Sequence, residues 1–339
     1  SRMLSGVLSV CVFGIGCARN EVVSLHPPSS PLQLARAGLY PETLAYDPAG
    51  SRFLVGSFRE GAIYEVHADG HVTSVVDDPR LCSVLGIAVD DRRGRLWAVN
   101  SDLGACVRAS PVGPKNLAAV GVYDLRSGAP LQYVDLTQAL PSLPTGPHLL
   151  NGLALDGAGN AYVSDSFSPA IYRIDAAGNP ELFLQTPEFA GEGVNLNGLV
   201  VHPAGYLLVI KKSDGALFKV PLQDPERYAR VSLSEPLFGG DGLVLVDDRN
   251  LVVVSNQTPQ HASNSALVLR STDDWARASV VARQALGDVY PTTAALRGAD
   301  LYVIHSKLNE LIQAPPDQKS KYNAFATIQQ IGHVQHAAW

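Results

Sequence analysis

Apolar positions in this chain fall in short runs separated by polar turns. One pattern recurs: a polar residue, an apolar run, a Gly- or Asp-rich turn, and a second apolar run ending in polar residues. Its clearest copies start at Asn151 (Asn-Gly-Leu-Ala-Leu-Asp-Gly-Ala-Gly-Asn-Ala-Tyr-Val-Ser-Asp), Asn197 (Asn-Gly-Leu-Val-Val-His-Pro-Ala-Gly-Tyr-Leu-Leu-Val-Ile-Lys) and Asp241 (Asp-Gly-Leu-Val-Leu-Val-Asp-Asp-Arg-Asn-Leu-Val-Val-Val-Ser-Asn). Looser copies start at Glu42, Gly86 and Thr292. A helical period is sustained nowhere, so the runs read as strands. Two further β-prone runs follow each copy, and four short strands joined by tight turns make one propeller blade. Start-to-start spacings are 44 (Glu42 to Gly86), 65 (to Asn151), 46 (to Asn197), 44 (to Asp241) and 51 (to Thr292). Spacings near 45 residues suit blades of this kind. The predicted fold is all-β: a six-bladed β-propeller over residues 39–339 with four antiparallel strands per blade. Residues 308–312 and 325–330 are expected to complete the sixth blade with an outer strand of its own.

This register has a chemical consequence. Innermost strands of a propeller run the same way along the central channel, so their first residues converge on one mouth. Glu42, Gly86, Asn151, Asn197, Asp241 and Thr292 form that ring in this reading. The second strands return to the same mouth, which adds Asn100, Asp165, Lys211, Asn256 and His305 as an outer set. Two carboxylates and two amide oxygens, from Glu42, Asn151, Asn197 and Asp241, suit one Ca²⁺ ion, which takes oxygen ligands in flexible number. Zinc would call for Cys or His. The plain alternative is that Asn-Gly and Asp-Gly serve turns; four in register favour the metal. A second, structural ion is also open.

Composition narrows the partners. Hydrophobic residues are 46% and charged ones 17%, which supports a sizeable core. The net charge of -6 comes without a basic cluster, so no nucleic-acid partner is expected. Arg2 precedes an apolar run over residues 3–16, too short to span a bilayer but right for a secretory signal. Residues 1–20 are expected to be a signal peptide or a lipoprotein leader, with Cys17 the candidate for lipidation and for any membrane attachment. An exported, periplasmic or extracellular location follows. The Pro-containing stretch 21–38 reads as a linker lying against the domain. Cys82 and Cys106 flank the second unit and either form a disulfide in an exported protein or leave a buried thiol at Cys82.

Tyr40-Pro-Glu-Thr-Leu-Ala-Tyr-Asp, the Asn151 stretch and Asp241-Gly-Leu resemble the senescence-marker-protein, gluconolactonase and luciferin-regenerating-enzyme family. They resemble, more broadly, the calcium-dependent propeller hydrolases that include diisopropylfluorophosphatase and the paraoxonases. The resemblance covers all six units. It implies a metal held by Glu42, Asn151, Asn197 and Asp241. The sugar-lactonase pattern has Arg two residues before the third-blade Asn, where this chain has Leu149 with His148 beside it. That puts sugar lactones in doubt as substrates. Strictosidine-synthase relatives need no metal, and the full ring argues against that branch.

The expected function is Ca²⁺-dependent hydrolysis of lactones or related esters. Asp241 is the candidate base or nucleophile, and His305, with an ordinary pKa near 6.5, the candidate proton shuttle. The plain reading of His305 is a hydrogen-bonded residue at a strand end. Asn100, His148, Asp165 and Lys211 are candidates to line the substrate pocket, against plain readings as turn caps or, for Lys211 and Lys212, as solvated loop lysines. Residues 103–115 and 141–147 form long loops expected over the mouth. An exported ligand- or protein-binding propeller with structural calcium, and a strictosidine-synthase-like enzyme, are the competing readings. Oligomeric state is not legible.

Overall fold

The computed structural model describes residues 21–259, 261 and 264–336. The expected leader lies outside the described residues. Six antiparallel sheets follow one another along the chain, and their inner strands stand side by side around a central channel. These inner strands are Pro41–Asp47, Ser83–Asp90, Leu150–Leu155, Leu196–His202, Gly240–Leu245 and Pro291–Arg297. Each packs on its neighbours, and the sixth returns to the first. The fold is the six-bladed β-propeller with four antiparallel strands per blade that the spacing predicts. Among the described residues no helix is long and apolar enough to cross a membrane.

Why second strands such as Tyr206–Lys211 read as unbroken apolar runs follows from where their two faces go. Leu207 and Val209 pack with Tyr162, Ile171 and Leu184 of blade 3, whereas Leu208 and Ile210 pack with Leu251, Val253 and Leu267 of blade 5. A strand buried on both faces has no polar side to show. The other junctions repeat this, as where Leu54 and Ile63 of blade 1 meet Ile87, Leu96 and Tyr123 of blade 2. Six such inter-blade cores, rather than one central core, hold the ring together. Each fully buried Leu or Val adds about 1.5–3 kcal/mol relative to exposure.

Blade 6 departs from the sequence expectation. Leu308–Gln313 is a helix, with Leu308 and Leu311 buried in the core above blades 2 and 3. The third strand is Thr327–His336, and the fourth comes from the other end of the chain: Glu21–Leu25 pairs antiparallel with it, from Glu21 opposite His336 to Leu25 opposite Gly332. Leu32–Gln33 pairs with the same strand further along. Much of the stretch expected to be a linker is therefore built into the sheet, and the ring closes by joining both termini in one blade. Blade 4 differs more mildly. Its outer strand is Ala229–Arg230, and the next residues, Ser232–Leu233, cross to pair in parallel with the edge of blade 5. Cys82 and Cys106 are bonded to each other, with Cα atoms 5.4 Å apart, and tie the loop after Leu103 to the entry of blade 2.

Candidate functional site

Inner strands start with a shared irregularity, a bulge at the residue that faces the channel. Leu150 pairs with Asp165 and Leu153 with Val163, leaving Asn151 and Gly152 between them. The same count places Glu42 after Pro41, Asn197 after Leu196, Asp241 after Gly240 and Thr292 after Pro291. In blade 2 Val84 pairs with Asn100 and Ile87 with Ala98, so the residue in ring position is Leu85, and Gly86 corresponds to Gly152. The sequence alignment is out by one residue there. Close packing explains these glycines: a Cβ on Gly86 would lie 2.4 Å from the Asn151 carbonyl oxygen, and one on Gly152 would lie 2.3 Å from that of Asn197. Asn-Gly here is a contact between neighbouring inner strands, not a turn.

Glu42, Leu85, Asn151, Asn197, Asp241 and Thr292 thus surround one cavity of about 130 Å³ in the channel. All four charged or amide residues are buried. Asn151 donates its amide N–H to Ser166 Oγ (3.1 Å), which leaves its oxygen for the channel. The Asn197 amide has no hydrogen bond among the described residues, and buried Thr292 Oγ1 has no partner. Burial pushes the Glu42 carboxyl well above the usual carboxylate range, the facing Asp241 carboxylate adds to this, and Lys212 offsets part of it. Two buried carboxylates, two amide oxygens and an orphaned hydroxyl around one small cavity are a donor set that fits a calcium ion.

Asp241 is already engaged on one side. Its Oδ2 accepts from Lys212 Nζ (2.6 Å) and from Asn256 Nδ2 (2.6 Å), while Lys212 also donates to Asn256 Oδ1 (2.5 Å). The ammonium stands 5.7 Å from the centre of the Tyr290 ring. Burial works against the charged lysine, but Asp241, Tyr290 and Glu42 outweigh it and raise its pKa above the ordinary value. The neighbouring Lys211 points elsewhere, to Glu188 O and Asp214 Oδ2, both at 3.0 Å. Adjacent residues at a strand end face opposite ways, so Lys212 and not Lys211 reaches the ring. The sequence reading noted both lysines; what would have separated them is the phase of the second strand.

Other outer-set residues brace their own blades. Asn100 accepts from the Cys82 backbone N–H (2.8 Å) and donates to Arg80 O and Tyr133 Oη. Asp165 accepts from the backbone N–H groups of Leu149, Phe167 and Ser168 and from Tyr172 Oη, and its Oδ2 is 2.8 Å from His148 Nδ1. His148 and Asp165 are brought together as a pair, with Ser168 Oγ 3.3 Å from the same ring nitrogen. Neither residue lines the ring cavity.

His305 is buried at the end of its strand, and neither ring nitrogen makes a hydrogen bond of good geometry. Burial lowers its pKa to about 4, an effect that Gln329, the polar side chain approaching it, only partly opposes. The imidazole is therefore neutral at neutral pH. The unfolded chain binds this proton from about pH 6.5 downward and the folded one only near pH 4, so stability contributed by His305 is present above pH 6.5 and lost as pH falls toward 4. Thermal melts between pH 4 and 7 should show this slope in the wild type and a flatter one in His305→Gln. Equal slopes would remove the buried neutral imidazole as their cause.

No protein-family model matches the chain, and no curated protein matches its sequence. Solved structures do. The major allergen Mala s 1 of Malassezia sympodialis superposes with a TM-score of 0.67 at 19% identity, over 89% of this chain and 95% of that one. Regucalcin from Agrobacterium tumefaciens, a calcium-binding protein, gives 0.59 at 15% identity, over 91% and 95%. A putative gluconolactonase gives 0.59 at 15% identity, over 93% and 100%. The structural neighbours thus include members of the family that the ring residues resemble. At these identities what is shared is the fold.

Proposed function

We propose that the protein is a propeller hydrolase acting on lactones or related esters at the channel mouth, with a calcium ion held by Glu42, Asn151, Asn197 and Asp241. The observation that carries this reading is the convergence of those four side chains, from blades 1, 3, 4 and 5, on one cavity. The likeness of fold to regucalcin and to a putative gluconolactonase supports it. When bound, the ion would supply Lewis acidity toward the ester carbonyl and toward the negative charge that develops on it. The chain supplies the rest. Lys212 and Asn256 hold Oδ2 of Asp241, so its carboxylate is fixed in orientation and can take a proton from water or attack directly. Leu85 and Thr292, on either side of Glu42 in the ring, supply neither a carboxylate nor an amide, and the substrate is placed beside Glu42 at those positions. The Cys82–Cys106 bond suits the proposed export, since such bonds persist in oxidising compartments.

A panel of lactones and aryl esters, assayed with calcium and with EGTA, tests this. Turnover that needs calcium is expected. The ammonium on Asp241 favours a second reading, a ligand-binding propeller without turnover, and inactivity across the panel would establish it. Turnover unaffected by EGTA would point instead to a metal-independent, strictosidine-synthase-like reaction.

A further inference from the structure

In blades 2 to 5 the residue after the second-strand residue paired just before the ring position occupies an equivalent place beside the next blade's inner strand; these residues are Ser101, Ser166, Lys212 and Asn256. In three of them it joins two blades through a backbone carbonyl. Ser101 Oγ donates to Leu150 O (3.1 Å), Ser166 Oγ to Leu196 O (2.5 Å) and Asn256 Nδ2 to Pro291 O (3.0 Å). Each acceptor is the residue immediately before a ring position. Blade 4 breaks the pattern. There the residue is Lys212, and it reaches past the backbone to the Asp241 carboxylate. Its side chain is only 11% exposed and that of Asp241 6%, so the pair is shielded from bulk water.

Position and charge together give this lysine a role. Two carboxyl groups, Glu42 and Asp241, face the cavity, and the one ammonium beside them is paired with Asp241. A divalent cation bound to Glu42 and Asp241 would share Asp241 with a positive charge, with little intervening solvent to screen the repulsion. Lys212 also has a place to withdraw to: Asn256 Oδ1 already accepts from it, and the Tyr290 ring lies behind.

We propose that Lys212 is a resident counter-ion that a divalent cation must displace from Asp241, so that the ring binds calcium more weakly than its four oxygen donors alone would. The proposal rests on the ring being a cation site. Replacing Lys212 by Ser restores the residue type found at this position in blades 2 and 3. Replacing it by Met keeps the bulk of the stem without the charge.

The test is calorimetric titration of CaCl₂ into metal-free full-length protein, with thermal melts in parallel. Lys212→Ser and Lys212→Met should bind calcium about tenfold more tightly than wild type, or better, and gain more in Tm from it, while Lys212→Arg should resemble wild type. Affinity in both neutral variants equal to or below that of wild type overturns the proposal and leaves the cation site standing. Absence of binding in every variant overturns the cation site, and the proposal with it. A neutral variant that folds only with calcium present supports displacement, because calcium then replaces the lysine. Failure of both to fold at saturating calcium overturns it.

Discussion

Asp241→Asn is expected to lose at least about a thousandfold in kcat/KM on any ester the wild type hydrolyses. The change keeps the side chain's shape and removes its charge, and three functions depend on that charge. It is a ring ligand, it is the proposed base or nucleophile lining the cavity, and it is the partner of Lys212. Stability should fall as well, by up to about 3–5 kcal/mol, because breaking a buried ion pair strands the remaining charge. Glu42 and Asn256 remain near the ammonium and moderate the loss. The double variant Asp241→Asn/Lys212→Met separates the two effects: it should recover stability, since no charge is stranded, and recover no turnover. Denaturant melts and initial rates on the four members of that cycle measure both. Full turnover in Asp241→Asn would sink the assignment of Asp241 as base or nucleophile.

Much of the ring was legible because repetition fixes phase. Asn151, Asn197 and Asp241 are each followed by Gly-Leu, and the Gly is forced by the carbonyl of the next inner strand. Leu85-Gly-Ile in blade 2 carries the same Gly, but with an apolar residue ahead of it the apolar pattern fits equally well one step away, and Gly86 takes the ring position by mistake. Lys211 and Lys212 pose the same difficulty in another form. Their identities match and only the strand's last pairing, Lys211 opposite Leu196, decides which one turns inward. His305 shows a third limit, since its ordinary pKa says nothing of burial that only the packed blade imposes. Blade 6 was illegible for a reason of distance. No local periodicity can show that a strand at residue 21 belongs beside one ending at residue 336.

That last pairing sets the second large expectation. Deleting residues 1–25 should lower Tm by about 10 °C or more, with aggregation on heating, although no ring residue is touched. Without Glu21–Leu25 the strand Thr327–His336 becomes an open edge over the span from Gly332 to His336. Buried Val23 is lost from the core that joins blades 5 and 6, where it packs with Val252, Leu301 and Ile331. Glu21 also binds blade 5 directly, its carbonyl accepting from Asn250 Nδ2 (3.2 Å) and from Arg270 Nη2 (3.0 Å). The deleted segment therefore holds two blades at the point where the ring closes. A peptide of residues 21–33 added in trans should pair with the open edge and restore part of the lost Tm, whereas a peptide with Ser24→Pro should not, because Ser24 opposite His333 is in the same ladder phase as His26, whose N–H donates to Ile331 O, and proline removes that donor. A deletion that melts with the wild type would show that the inner strands alone keep the propeller closed.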